Sequence, residues 1–208
     1  MKTQKLLLAM VAVGLAGAMS ANATLITFDD LTDNGTGTPI ANGYAGLNWD
    51  NFYVLNAPAY DLNPSGYLAG MVSANNVAYN AFANEAIISD SLFTLSSGYL
   101  TGAWNNNLQV EIKGYNGATL LYDNTYTLSS TAPTLINFNY VGVDQVTFDS
   151  FGGTQNPNYQ GNGTHFVMDN LTINAMPVPE ASTMIAGMLL LLPLGASALR
   201  VLRKNRTA

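Results

Sequence analysis

The sequence predicts an all-β protein: an antiparallel, jelly-roll-like β-sandwich with a cleavable signal peptide before it and one transmembrane helix after it. Three observations carry this. Short runs of β-branched and aromatic residues recur between Asn, Gly, Pro and Ser turns, which is the pattern of many short strands. No stretch of the central segment holds a sustained amphipathic helical period. All Phe, Tyr and Trp residues, the material of a core, lie between Thr24 and Ala175.

At the N-terminus, Lys2 and Lys5 precede an apolar run from Leu6 to Met19, and Ala21-Asn22-Ala23 closes it. A charged start, an apolar middle and an A-x-A end make an export signal. Cleavage after Ala23 leaves a mature chain beginning at Thr24, so residues 1–23 are set apart from the fold, and residues 24–175 form one domain.

The expected strands run in order from Thr24–Phe28 through Gly46–Leu55, Gly66–Val72, Val77–Phe82, Ser91–Leu95 and Gly98–Trp104. Within 73–88 a helical spacing of Val77, Phe82 and the alanines competes with the strand. The clearest hairpin follows: Leu108–Lys113 alternates apolar and polar residues, Asn116-Gly117 supplies the positive φ of a tight turn, and Ala118–Leu128 returns. Thr134–Tyr140, Val143–Phe151 and Thr164–Ile173 complete the set. The many Asn residues suit turns, because Asn tolerates left-handed backbone and bonds its own chain.

In the last strand Asp169 shares parity with Val167, Leu171 and Ile173 and therefore points toward the core. A buried carboxylate needs donors or a cation. Near the start, Asp29 and Asp30 follow an apolar strand, and first and last strands of sandwiches are often neighbours. Two readings stand. In one, Asp29 or Asp30 joins Asp169 around a structural Ca²⁺ completed by carbonyl and Asn oxygens. In the other, Asp169 marks a bulge and caps loop amides while Asp29-Asp30 makes an Asx-turn. The two strings are similar to the terminal-strand calcium sites of jelly-roll carbohydrate-binding modules.

Composition excludes several functions. The whole chain carries a net charge of −6, and the central segment sets twelve Asp and Glu against the single base Lys113. Nucleic acids and anionic lipids need Lys and Arg and are not expected partners of this segment. Cysteine is absent, so no disulfide, thiolate metal site or thiol nucleophile exists. The lone histidine, His165, sits in a Gly-rich loop and is expected as a surface polar group. There is no G-x-S-x-G, H-E-x-x-H or P-loop motif, and the two Glu of the segment, Glu85 and Glu111, read as loop and solvated-strand residues. No catalytic residue is assigned and no enzyme is expected. Trp49 with Phe52 and Tyr53, and Trp104 with Tyr99, have two readings, as ring platforms for sugars or as large core residues of a sandwich without disulfides.

The C-terminal segment 176–208 has three parts in order: Val178-Pro179-Glu180-Ala181-Ser182-Thr183, an apolar stretch over about 183–202, and a basic end with Arg200, Arg203, Lys204 and Arg206. The stretch is near the lower length that crosses a hydrocarbon core of roughly 30 Å, and the cations favour the cytoplasmic side. This segment resembles the PEP-CTERM sorting signal of Gram-negative bacteria, with Ala181 where the family usually has a second proline. The resemblance implies an exosortase-type membrane protease as partner. It also implies a transient inner-membrane anchor and delivery to the cell surface, outer membrane or extracellular matrix.

The central segment in turn resembles the β-sandwich domains of PEP-CTERM proteins. Ile26-Thr27-Phe28-Asp29-Asp30-Leu31, Gly98-Tyr99-Leu100-Thr101-Gly102-Ala103-Trp104 and Met168-Asp169-Asn170-Leu171-Thr172-Ile173 carry that likeness. It implies a structural or adhesive role associated with exopolysaccharide. A non-catalytic carbohydrate-binding module is the alternative, and a glycan hydrolase is the third.

Overall fold

The computed structural model describes residues 23–175. Ala21, most of the export signal and the whole sorting segment 176–208 lie outside the described residues; Ala23 opens the first strand.

Twelve strands are found among the described residues. They are β1 (Ala23–Ile26), β2 (Thr38–Pro39), β3 (Asn48–Asp50), β4 (Phe52–Asn56), β5 (Asn76–Asn80), β6 (Ala86–Gly102), β7 (Asn105–Asn106), β8 (Leu108–Asn116), β9 (Thr119–Leu128), β10 (Thr134–Phe151), β11 (Thr154–Gln155) and β12 (Phe166–Ala175). The order β2-β4-β5-β12-β6-β10-β8-β9 is antiparallel throughout, with β1 added to β12, β3 to β6, and β7–β11 as a separate ribbon. First and last strands are neighbours, as expected: Thr24 lies opposite Ile173.

The hydrogen-bonded path folds over on itself. β4 and β10 stand four places apart in it, which in a flat sheet would separate them by roughly 19 Å. Yet the Phe52 and Phe148 rings meet edge to face at 5.6 Å. The bend is made in the long strands. The β10–β6 register breaks between Asn137 and Gln145, where Asn139 (φ 54°) and Gly142 (φ 72°) hold left-handed backbone. The enclosed layer contains Trp49, Phe52, Phe93, Leu100, Ile112, Phe148, Phe166 and Met168. The domain is thus an all-β antiparallel sandwich.

Four local expectations are corrected. Gly66–Val72 is not a strand: Ser65 accepts a bond from Leu68 N (3.4 Å) and starts a single helical turn, α1 (Gly66–Ala69). The segment 73–88 is not a helix, because Val77 and Ala78 on β5 are buried on opposite faces of a sheet. Ser91–Leu95 and Gly98–Trp104 merge into β6, and Thr134–Tyr140 and Val143–Phe151 into β10, since a bulge bends a strand without ending it. The hairpin turn is Gly117-Ala118, one residue later than Asn116-Gly117, with Asn116 still paired to Thr119.

Candidate functional site

The period of two in a strand assigns successive residues to opposite faces, and in β4, β5 and β12 both faces carry apolar side chains. Phe52, Val54, Ala78, Phe166 and Met168 belong to the enclosed core. Tyr53, Leu55, Val77, Tyr79 and Val167 point the other way, and Leu55, Val77 and Val167 join a second cluster with Ala57, Tyr67, Ala103 and Trp104. That outer face is covered by the connection from β4 to β5, which brings Tyr60, Leu62 and Tyr67, and by the segment before β12, which brings Gln160 to His165.

Close backbone approach seats both covers. Gly66 N donates to Ala103 O (2.8 Å), and a Cβ on Gly66 would lie 1.9 Å from Gly102 O, so α1 can dock only through glycine. Gly161 lies flat against Trp104, where a Cβ would come within 2.4 Å of the indole. Edge-to-face contacts join Trp104 to Tyr67 (5.5 Å) and Tyr67 to Tyr60 (5.1 Å) and Tyr79 (5.3 Å).

Between the covers an open cleft of about 560 Å³ remains, within the range of small-ligand sites. Its walls are Tyr53, Tyr60, Tyr67, Tyr79 and Trp104, and its polar edges are Thr36, Gln160, Asn162 and His165. At its mouth stands Phe82, 74% exposed and edge to face with Tyr53 at 6.0 Å. Phe82 and Ala83 both hold left-handed backbone (φ 57° and 56°), an unfavourable conformation for a bulky residue. Asn51 imposes it. The Asn51 side-chain amide donates to Ala81 O (3.0 Å) and Glu85 O (2.9 Å), its backbone O accepts from Ala81 N (3.0 Å), and Asn80 Nδ2 donates to Asn84 O (3.0 Å). Strain of this kind persists only where the surroundings over-determine it, and it gathers at binding sites.

The cleft is electrically neutral inside. Burial lowers the His165 pKa, so the imidazole is uncharged at pH 7, and its Nδ1 is buried without a hydrogen-bond partner. Burial pushes the Tyr79 hydroxyl up to about 12, with Asp33 adding to the effect. It raises Tyr67 well above the ordinary value, aided by Tyr60 and Tyr79, and raises Tyr60, aided by Asp61. These phenols therefore stay protonated. Asp33, outside the lining but near enough to act on Tyr79, is held below the usual carboxylate range: burial opposes this, but bonds from Asn56 N (2.9 Å), Gly35 N (2.7 Å) and the Thr38 hydroxyl (2.9 Å) prevail.

Two of the three aspartates singled out in the sequence, Asp169 and Asp29, meet the segment leading into β5, while Asp30 turns to Tyr44 before β3. Asp169 is buried, but not by the parity read in the sequence: Val167 faces the outer side, and the register break of β12 against β6 after Asp169 is what turns Leu171 and Ile173 to the core. Its Oδ2 accepts from Val72 N (2.6 Å) and Ser73 N (2.7 Å), and its Oδ1 from the Ser73 hydroxyl (2.8 Å) and Asn170 N (2.6 Å). Asp29 Oδ1 accepts from Asn76 N (3.0 Å), and Asp30 Oδ1 from the Tyr44 hydroxyl (2.6 Å). Four donors satisfy the Asp169 carboxylate without a cation. Burial still raises its pKa, with the bonds from Ser73, Val72 and Asn170 countering. Among the described residues no group of three or more His, Asp or Glu side chains is placed to hold a metal.

The two tryptophans part company. Trp49 is 5% exposed, packed edge to face on Phe28 (5.8 Å) and Phe52 (5.4 Å), with its Nε1 donating to Tyr44 O (3.0 Å); it offers no ring face to a ligand. Trp104, 3% exposed, forms the floor of the cleft. Sequence analysis singled out Tyr53 but missed Tyr60, Tyr67, Tyr79 and Phe82, and it expected His165 on the surface, whereas it is half-buried beside Tyr79 (6.4 Å). The one available signal was the density of Tyr between 53 and 79.

No family model and no curated protein matches the chain. Among solved structures, the chain is similar to a DUF4465 family protein from Bacteroides caccae at TM-score 0.54 and 11% identity, covering 73% of this chain and 98% of that one. A DUF4465 family protein from Bacteroides ovatus overlaps at 0.43 and 12% identity, over 74% and 94%. A family 32 carbohydrate-binding module from C. perfringens, solved with galactose, overlaps at 0.33 and 12%, over 62% and 93%. The first of these supports the all-β fold; the other two overlaps are too partial to add to it.

Proposed function

We propose that the domain is a non-catalytic carbohydrate-binding module, and that the chain is an exported surface or matrix protein in which this cleft serves adhesion to polysaccharide. The observation that carries the binding reading is Phe82, a large aromatic ring held in strained backbone and exposed to solvent at the mouth of a cleft walled by Tyr and Trp. A pyranose presents apolar C–H faces and a rim of hydroxyls. The rings of Phe82, Tyr53 and Tyr79 match the former, while Tyr hydroxyls and the side chains of Thr36, Gln160, Asn162 and His165 match the latter. Fixing the platform before the ligand arrives lowers the ordering cost of binding.

Export rests on the N-terminal signal ending at Ala23. Sorting by an exosortase-type protease rests on Val178-Pro179-Glu180-Ala181-Ser182, the apolar stretch and the basic end, which agree with export from the opposite terminus. Binding is tested by a glycan array followed by calorimetry with wild type and Phe82→Ala. Saturable binding by wild type that falls at least tenfold in the variant is expected; equal binding by both removes the cleft from the function. Sorting is tested by cell fractionation of Glu180→Ala, and a wild-type distribution would discard it.

A further inference from the structure

Resting on that reading, we infer that the cleft takes an uncharged glycan segment and rejects uronate-bearing or sulfated chains. Among the described residues nothing in or around it neutralises an anion. The walls are phenol, indole and phenyl rings, and the polar edges are Thr36, Gln160, Asn162 and His165. The only Lys or Arg between residues 24 and 175 is Lys113, on β8, and it is already paired with Glu111. The cleft's own imidazole is neutral at pH 7.

The charges next to the lining carry the opposite sign to what an acidic glycan needs. Asp33 lies near the Tyr79 hydroxyl and is locked by three donors into its ionised form. Asp61 is exposed between two lining residues, Tyr60 and Leu62. The surrounding segment holds twelve acids against one base, so the long-range field also repels anions. A carboxylate or sulfate entering the cleft would lose hydration and meet no cation, which is the costly case for a buried charge. A neutral sugar loses only hydroxyl hydration, which Tyr, Asn, Gln and Thr groups can replace.

The test is calorimetry of the full chain in detergent micelles with neutral oligosaccharides (β-glucan, β-galactan and mannan fragments) and with oligouronates of the same length. Each titration is run in EDTA and in Ca²⁺, at low and high salt. The expected result is binding of at least one neutral series that Phe82→Ala weakens, with affinity altered less than about twofold by salt, because no ion pair is made. Oligouronates are expected to bind at least tenfold more weakly, and Asp61→Lys to narrow that gap. Oligouronate binding equal to the neutral series, with or without Ca²⁺, overturns the ligand class while leaving carbohydrate binding in place. Absence of binding by both series overturns carbohydrate binding at the cleft and this inference with it.

Discussion

The two faces of β4, β5 and β12 are both aromatic, yet they do opposite work. On the enclosed face Phe52 meets Trp49, Phe148 and Phe166 edge to face or nearly so, and every ring is sealed. On the outer face Tyr53 and Tyr79 are only half-buried and line an open cleft, Trp104 is sealed beneath it, and Phe82 is left to solvent. Aromatic content alone does not distinguish a sealed core from an open cleft. What distinguishes them is whether a second layer closes over the rings, and here loops do so incompletely.

The largest expected effect lies on the sealed face. Phe52→Ala is expected to cost about 3–5 kcal/mol, because three aromatic neighbours lose a partner and the cavity cannot collapse. Denaturant melts check this. A loss near zero would mean that the inner face is not the core.

Next is Asp169→Asn, which replaces one acceptor oxygen by an amide facing the Val72 and Ser73 N–H groups. Stranding buried donors costs roughly 1–3 kcal/mol. The wild-type melting temperature is expected to be the same in EDTA and in Ca²⁺; a rise with Ca²⁺ would replace loop capping by a metal site.

On the open face the sign reverses. Phe82→Gly removes a bulky side chain from left-handed backbone, and its stability is expected to rise by about 0.5–1 kcal/mol. Glycan affinity is expected to fall at least tenfold. A variant that is both less stable and unchanged in binding would make Phe82 a structural residue.

The smallest effects follow pH. Burial holds the folded His165 below its ordinary 6.5, so the unfolded chain takes up a proton that the folded domain refuses. The stability this group contributes is present above 6.5 and lost on acidification, and His165→Gln should flatten that part of a pH–stability profile. Tyr79 acts in the other direction: its contribution is full below its ordinary value of 10 and is lost as pH rises toward about 12.

Much of the fold was legible in the sequence. Turn-separated β segments and the neighbouring first and last strands depend on local period and chain order, whereas the parity of Asp169 did not carry across the register break that follows it. The cleft was not legible, for a physical reason. Phe52-Tyr53-Val54-Leu55 shows no alternation because both faces of β4 are covered, and a continuous apolar run cannot say which residues face the core. The bend that makes β6 and β10 serve both layers depends on Asn139 and Gly142, which in the sequence look like ordinary strand ends. The cleft residues come from five separated stretches, and the Asn51 anchor of Phe82 spans 30 residues of chain.

Two tryptophans, one on each face, allow the most direct test. In a two-dimensional NMR titration with a bound neutral oligosaccharide, the indole N–H signal of Trp104 is expected to shift while that of Trp49 stays in place. A shift of Trp49, or saturating binding that leaves Trp104 unmoved, would contradict placing the site on the outer face.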